Sequence, residues 1–375
     1  MKGSFTETIS WVAGGLLDGV AGLLNYSDGP LRTAPSDGRV TLPDDLFAKP
    51  DVQTEWWYYT GHCRYEDGRR FGFELVFFKR RTDLDKLGFV PVAIIANPMY
   101  FAHFAISDID AGTFRSEHVR SFNKPFDTPV SMSTTSCDVR LGDWTLREVA
   151  GKHILHATLA DGFVFDAVLE SQKPVVLNGD GGISIKKGGA SNHFSLTRMS
   201  VLGQSVSGGK VETFTGSAWM DREFGIWQQG DWDWFSIQFD DGTELMIYQF
   251  NDPTRSMNDA LTGTFVEVDG SCQYLKRTEF DVEVLATWTS PRNGSEYPAG
   301  WRVRAASLDV DIEIMPLIAD QELDTRGSTV VVYWEGVCSV TGTRLGNTVT
   351  GNAYVELVGY DRSHESVGLA GFLFG

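Results

Sequence analysis

The sequence has few cysteines and a deficit of basic residues. Its four cysteines lie far apart without a CxxC pair, so we expect buried reduced thiols rather than disulfide bridges or metal ligands. The chain has 32 Lys and Arg residues against 50 Asp and Glu residues, a net charge of −18. Such a surface repels phosphate backbones and anionic lipid headgroups. The composition therefore argues against nucleic-acid binding and against polybasic docking to membranes.

The chain also lacks the common catalytic motifs. It contains no GxSxG, HExxH or GxxxxGK motif, and no GxGxxG that opens a helix. Its seven histidines do not have the spacing of metal ligands. We therefore expect neither a metal nor a cofactor. A Ser-His-Asp hydrolase is a weaker alternative, because the members of such a triad need not be neighbours in sequence.

No apolar run reaches the length of about 20 residues that a membrane-spanning helix needs. The segment 9–26 has apolar residues at helical spacing, but glycines and an aspartate interrupt it, and it is a poor match to a secretory signal. We expect residues 1–44 to form a short helical or irregular arm. We expect the protein to be cytoplasmic, with secretion as the alternative.

Alternation of apolar and polar residues is abundant from about Val40 onward, and Gly, Pro and Asp-Gly pairs interrupt it. This period of two predicts antiparallel strands. Asp-Gly pairs at 67–68, 161–162 and 241–242 predict hairpin turns. The stretches around the first and third pairs resemble each other, which favours two similar β domains at residues 45–220 and 221–375. One continuous sandwich is the alternative.

Carboxylates stand among the aromatic residues of these strands. In TEWWYYTGH, alternation places Glu55, Trp57 and Tyr59 on one face of a strand. Burial in an apolar pocket raises the pKa of a carboxyl group, which can then serve as a general acid. Aromatic faces stabilise a nearby cation by about 2 kcal/mol when water is excluded. The pattern predicts protonation of an electron-rich alkene, although a carrier of apolar ligands would need the same aromatic residues.

Ordered motifs between about residues 50 and 360 include QTEWWYYTGH, YFAHFAISD, GSAWMDREFG, WDWFSIQFDDGTELMIYQF, VYWEGV and GNAYVELVGY. Together they resemble the AttH and CrtC lipocalin-like family, which includes carotenoid 1,2-hydratase and kievitone hydratase. The resemblance implies an all-β fold of two packed lipocalin-like antiparallel β-barrel domains. It also implies cofactor-free addition of water to an isoprenoid double bond. Because one fold serves several reactions, a Diels-Alderase-type cyclase of polyenes and a non-catalytic carrier stay open.

The resemblance draws attention to the segments WMDREFG and ELMIYQF as carriers of acid and aromatic site residues. Where carotenoid hydratases are expected to have a histidine and a tryptophan after the aspartate, this chain has Arg222 and Phe224. This departure favours a small prenylated or polyene substrate over a long carotenoid.

The expected catalytic residues are four. Asp221 or Glu55 is the predicted proton donor, and Asp233 or Tyr248 is predicted to orient water or to accept the second proton. The side chains predicted to line the substrate cavity are Trp57, Tyr59, His103, Trp219, Trp234 and Trp334. Two further strand acids, Glu74 and Glu356, are assigned to structural positions because carboxylates are rarely fully buried without a partner.

Overall fold

The structure, a computed structural model, describes residues 29–32, 39–87, 89–94, 96–227, 230–250, 259–329 and 331–361. The predicted helical segment 9–26 lies outside these residues. Within them the chain forms 27 strands, four short 3-10 helices at Asp44–Leu46, Val92–Ile94, Arg277–Glu279 and Ala306–Leu308, and no α-helix. No helix in this described part is long and apolar enough to span a membrane. The all-β prediction is confirmed.

The first half of the chain forms a 13-stranded antiparallel sheet. Its neighbours follow the order β6-β5-β2-β1-β15-β14-β11-β10-β9-β8-β7, and β12 and β13 also pair with β14. These strands are β1 (Thr54–Tyr65), β2 (Arg70–Arg80), β5 (Met99–Asp108), β6 (Thr113–Ser121), β7 (Val130–Met132), β8 (Asp138–Leu141), β9 (Trp144–Val149), β10 (Lys152–Thr158), β11 (Val164–Ser171), β12 (Val176–Leu177), β13 (Ile183–Lys186), β14 (Gly189–Ser207) and β15 (Lys210–Ile226). A separate two-stranded ribbon joins β3 (Lys86–Leu87) and β4 (Val90–Pro91).

This sheet curls around its own apolar core. The rings of Phe104 on β5 and Trp144 on β9 lie 5.9 Å apart, although seven strand positions separate β5 from β9 in the sheet. Alternate residues of every long strand point into this core, among them Phe73, Phe165 and Phe214. Because aromatic side chains fill the middle of this core, that part of the first sheet leaves little room for a ligand.

The second half forms a 10-stranded antiparallel sheet in the order β19-β18-β17-β16-β27-β26-β24-β23-β20, with β25 paired to β26. It curls in the same way, since Trp301 packs its ring 5.6 Å from Phe235 and 6.2 Å from Trp334. A second ribbon consists of β21 (Thr287–Thr289) and β22 (Glu296–Pro298). The strands of the sheet are β16 (Trp232–Phe239), β17 (Glu244–Phe250), β18 (Leu261–Val266), β19 (Cys272–Lys276), β20 (Asp281–Val284), β23 (Trp301–Ala305), β24 (Val310–Pro316), β25 (Glu322–Asp324), β26 (Val332–Arg344) and β27 (Asn347–Val358).

The predicted Asp-Gly hairpins join β1 to β2, β10 to β11 and β16 to β17. In each the glycine has a positive φ, at 94° for Gly68, 86° for Gly162 and 88° for Gly242, which a residue with a side chain rarely adopts. The predicted domain boundary between residues 220 and 221 lies inside β15, which continues to Ile226, and the second sheet starts at Trp232.

The outer faces of the two curled sheets pack against each other. The interface between them is aromatic: the ring of Tyr58 on β1 lies 5.2 Å from that of Trp234 on β16, and Trp219 on β15 lies 6.2 Å from the same ring. Backbone also approaches closely, because a Cβ atom built on Gly72 would overlap Cγ1 of Val337. The functional side chains described below lie in this interface.

Candidate functional site

A cavity of about 90 Å³ opens between the two sheets. We call it the interface cavity. The first sheet supplies one wall from β1, β2, β13, β14 and β15, and the second sheet supplies the other from β16, β17 and β27. Its lining residues are Trp56, Tyr58, Phe78, Lys186, His193, Asp221, Glu223, Trp227, Trp232, Trp234, Tyr248, Phe250 and Glu356.

Strand alternation explains the acidic side of this cavity. On β15, Met220 and Phe224 point into the core of the first sheet, so Asp221 and Glu223 point outward to the interface. On β14, Phe194 points into the same core and His193 points outward. The sequence WMDREF therefore presents two carboxylates to the cavity, because every second residue of β15 is held by core packing.

Asp221 is held by donors from three sides. The indole Nε1 of Trp219 donates to its Oδ1 at 2.7 Å, and the hydroxyl of Ser195 donates to the same oxygen. His193 Nε2 lies 3.2 Å from Oδ2. These contacts fix the orientation of the carboxylate in the cavity wall.

Glu223 lies in a second polar cluster beside Asp221. Lys186 Nζ is 2.7 Å from its Oε1 and stands 4.4 Å from the ring centroid of Tyr248. Burial lowers the pKa of Lys186, but Glu223, Tyr248 and Asp221 together outweigh it, so the pKa lies above the usual value. The ammonium group is therefore charged, and it orders Tyr248 through a cation–π contact.

Glu356 approaches the cavity from β27 and differs from the other two acids. Burial raises its pKa to about 7, the Trp232 indole that donates to Oε2 at 2.9 Å opposes this rise, and the charges of Asp221 and Glu223 add to it. Such a carboxyl group exchanges its proton at neutral pH. A pKa close to the working pH is the property that a general acid needs.

Aromatic side chains form the remaining wall of the interface cavity. Trp56 meets Trp227 edge to face at 5.2 Å and Phe78 at 6.3 Å. Across from them, Tyr248 and Phe250 are 5.6 Å apart. The faces and edges of these rings suit an apolar ligand, and they can stabilise a transient positive charge on it.

Further acids lie behind this wall, deeper in the interface. The Tyr58 hydroxyl donates to Glu335 Oε1 at 2.6 Å, and the Tyr333 hydroxyl donates to Glu74 Oε1 at 3.1 Å. Glu335 and Glu356 face each other across β26 and β27. Burial, followed by the charge of Glu356, raises the pKa of Glu74 to about 8, and burial with both other acids raises that of Glu335 well above its usual value. We call Glu74, Glu335 and Glu356 the carboxyl cluster.

Three of the ten predicted site residues line the interface cavity, namely Asp221, Tyr248 and Trp234. Trp219 lies behind Asp221 and donates to it. His103 is buried between the sheets with Nδ1 at 2.8 Å from the hydroxyl of Tyr333, so it borders the carboxyl cluster instead of the cavity.

The structure places the other five predicted residues away from this cavity. Trp57 and Tyr59 point into the core of the first sheet, and Trp334 points into that of the second. Asp233 lies on the opposite side of β16 from Trp234 and accepts hydrogen bonds from Gln249 at 2.9 Å and Tyr360 at 3.0 Å.

Glu55 is the fifth of these residues, and its surroundings correct its expected role as a proton donor. It is fully buried, with Arg222 Nη2 2.6 Å from one oxygen and Lys79 Nζ 2.7 Å from the other. Burial raises its pKa, but the charges of Lys79 and Arg222 outweigh this, so the pKa is lowered. Glu55 is therefore ionised and is not proposed as the acid.

Sequence reasoning did not select Glu356, Glu223, Lys186 or His193. A signal for Glu356 was present, because AYVELV places it among apolar residues on a strand that is buried on both faces. Lys186 and His193 carried no such signal, since β13 and β14 bring them to β15 only in the folded sheet. Among the described residues, no group of three or more His, Cys, Asp or Glu side chains is arranged to hold a metal ion.

The fold and the site can now be compared with known proteins. A sequence profile described as AttH-like matches residues 33–360. The chain belongs to the AttH-like family. A protein from Nitrosomonas europaea assigned as AttH has 28% sequence identity and a TM-score of 0.75, over 89% of this chain and 100% of that chain. No curated protein sequence matches the chain significantly.

Kievitone hydratase from Nectria haematococca has the same fold, with a TM-score of 0.69 at 15% identity over 88% of this chain and 96% of that chain. CghA, solved with Sch210972, aligns with a TM-score of 0.45 at 14% identity over the same shares. The family and the two-sheet fold predicted from the sequence are thus confirmed.

Proposed function

We propose that this AttH-like protein is a cofactor-free hydratase that adds water to a prenyl double bond of a small hydrophobic secondary metabolite. One observation carries the proposal: Glu356, whose pKa is about 7, reaches an aromatic cavity whose facing wall holds the ordered carboxylate of Asp221. An acid that holds its proton near neutrality and a second group that accepts one are the two requirements of acid-catalysed hydration.

In the proposed reaction, the π electrons of the alkene take the proton of the Glu356 carboxyl group and form a C–H bond. The tertiary cation that results lies among Trp234, Tyr248 and Trp56, whose π faces stabilise it by about 2 kcal/mol each in a dry site. A water molecule attacks the cation and forms the C–O bond. Its surplus proton passes to Asp221, and Asp221 then releases this proton through solvent to the Glu356 carboxylate, so that both acids return to their starting states and no reagent is consumed.

Tyr248 is proposed to orient the attacking water. Its hydroxyl contacts the side chain of Ser184 and lies 3.5 Å from the carbonyl oxygen of Leu261, a long and weak contact that a water in the cavity would replace. Burial raises the pKa of Tyr248, which keeps the hydroxyl protonated.

The test is incubation with a panel of prenylated phenols in water labelled with oxygen-18, followed by mass spectrometry. A product that gains one labelled water supports hydration, and Glu356→Gln should lower its rate by about 10²–10⁴-fold. Glu313→Gln, an exposed strand acid on β24, is the matched control and should leave the rate unchanged. A product of unchanged mass with altered retention would indicate cyclisation, and co-purification without turnover would indicate carriage; either result overturns the proposal.

A further inference from the structure

A second cavity of about 300 Å³ lies at one end of the first sheet, where β1 and β5 begin and β2 ends. We call it the rim cavity. Its lining residues are Ala48, Pro50, Glu55, Lys79, Tyr100, Asn123, Val130, Ser131, Met132 and Thr134. The backbone N–H of Ala48 donates to the carbonyl of Ser133 at 2.9 Å, which ties the segment before β1 to the far end of the sheet. Its volume is at the lower end of the usual range for small-molecule sites, about 300–1,000 Å³.

Three buried charges lie at the base of this rim cavity. Glu55 accepts from Arg222 at 2.6 Å, from Lys79 at 2.7 Å and from the backbone N–H of Lys49 at 3.0 Å. Lys49 itself pairs with Asp45 at 2.8 Å and so forms a neutral pair. Two buried cations thus face one buried anion, and the cluster holds one positive charge in excess.

Lys79 is the cation that can serve a ligand. Arg222 directs its guanidinium to Glu55 and to the carbonyls of Asp45, Trp56, Phe47 and Glu223. The Lys79 ammonium has three N–H donors. Among the described residues, Glu55 and the carbonyl of Lys49 accept from two of them. Lys79 also lines the rim cavity, so its third N–H can donate to a ligand bound there.

From the excess charge, the remaining donor and the mixed lining we propose that the rim cavity binds a small apolar carboxylate. Its carboxylate would accept the third N–H of Lys79, and its apolar part would contact Val130, Met132 and Tyr100. Burial of a charge requires a partner, and a monoanion supplies the single negative charge that the cluster lacks. The site is separate from the interface cavity, because Glu55 and Lys79 belong to the core side of the first sheet.

Decanoate and decanol are the probes, because they differ in charge and share an alkyl chain. We expect calorimetry on the full chain to show decanoate binding at least about tenfold tighter than decanol, since a charge-assisted hydrogen bond contributes about 1.5–3 kcal/mol. Lys79→Met should remove this preference, and Lys79→Arg should keep it. Equal affinity for both probes, or no binding of decanoate, would overturn the proposal.

Methionine-methyl NMR on the unmodified protein locates the ligand, so this test holds even if the Lys79 variants do not fold. Decanoate should shift the Met132 signal, while the signal of Met246, which packs between the sheets, should stay in place. Met132→Glu should weaken decanoate binding at least about tenfold, with Met132→Gln as the neutral control. A shift confined to Met246 would refute the rim site and would leave the hydratase proposal untouched.

Discussion

Glu356 owes its pKa of about 7 to burial, to one indole hydrogen bond that opposes burial, and to the two acids on the facing wall. Below pH 7 the group is protonated and can donate, and above pH 7 the acid form is lost. We therefore predict that kcat of the proposed hydration falls as the pH rises through about 7, by tenfold per pH unit well above it. Steady-state rates measured from pH 5 to 9 would show this limb, and a flat profile across pH 7 would exclude Glu356 as the acid.

The buried ion pair between Glu55 and Arg222 is predicted to stabilise the folded protein. Arg222→Met leaves the carboxylate buried with only Lys79 as its charged partner, so we expect the free energy of unfolding to fall by about 3–5 kcal/mol. Urea unfolding measures the loss. Arg69→Met is the matched control, because Arg69 pairs with Asp67 and Glu212 at the surface, where water screens the charges, and its loss should be clearly smaller. Similar losses in the two variants would contradict this assignment.

The two sheets approach each other closely where β2 meets β26. A Cβ atom on Gly72 would overlap Cγ1 of Val337, so Gly72→Ala should push the two sheets apart and cost about 1–3 kcal/mol. Thermal unfolding of Gly72→Ala, Val337→Ala and the double variant measures the coupling. The double variant should be more stable than the sum of the single losses predicts, because the smaller side chain makes room for the added methyl group.

The matched control for this contact is Gly230→Ala. A Cβ atom on Gly230 meets no atom of the described residues within 4 Å, and we expect a change of no more than about 0.5 kcal/mol. If the loss in the double variant equalled the sum of the losses in Gly72→Ala and Val337→Ala, the contact between the sheets would not be the origin of the Gly72→Ala loss.

Strand periodicity explains both the success and the limit of prediction at the level of elements. Alternation correctly separated Glu55, Trp57 and Tyr59 from Trp56 and Tyr58 on β1. It could not tell which of two aromatic faces packs against the strand's own core and which packs against another sheet. On β1 the predicted lining therefore named Trp57 and Tyr59 on the inner face, while the cavity lies on the outer face with Trp56 and Tyr58.

At the level of the whole molecule, the interface between the sheets creates the candidate site. Asp221 on β15 and Glu356 on β27 are 135 positions apart in the sequence and belong to different sheets. Asp-Gly turns and family motifs predicted the two sheets, because a hairpin pairs strands that are neighbours in the sequence. The approach of β15 to β27 depends on how two finished surfaces pack, and no local pattern in the chain encodes it.

That same packing buries the carboxyl cluster and makes the stability of the whole molecule depend on pH. The pKa of Glu74 is about 8 when folded, against a usual value of 4.5. Between these values the unfolded chain releases the proton and the folded chain retains it, so the free energy of unfolding falls as the pH rises from about 4.5 to about 8. Outside this range Glu74 contributes no pH dependence.

Glu74→Gln is predicted to remove this penalty, because the amide carries no charge and its oxygen can still accept from Tyr333. The variant should be more stable than the unmodified protein by about 1–3 kcal/mol at pH 8 and nearly equal to it at pH 4. Urea unfolding at the two pH values measures the difference, with Glu313→Gln as an exposed control that should change neither. A gain of the same size at both pH values would mean that packing, and not proton release on unfolding, governs Glu74.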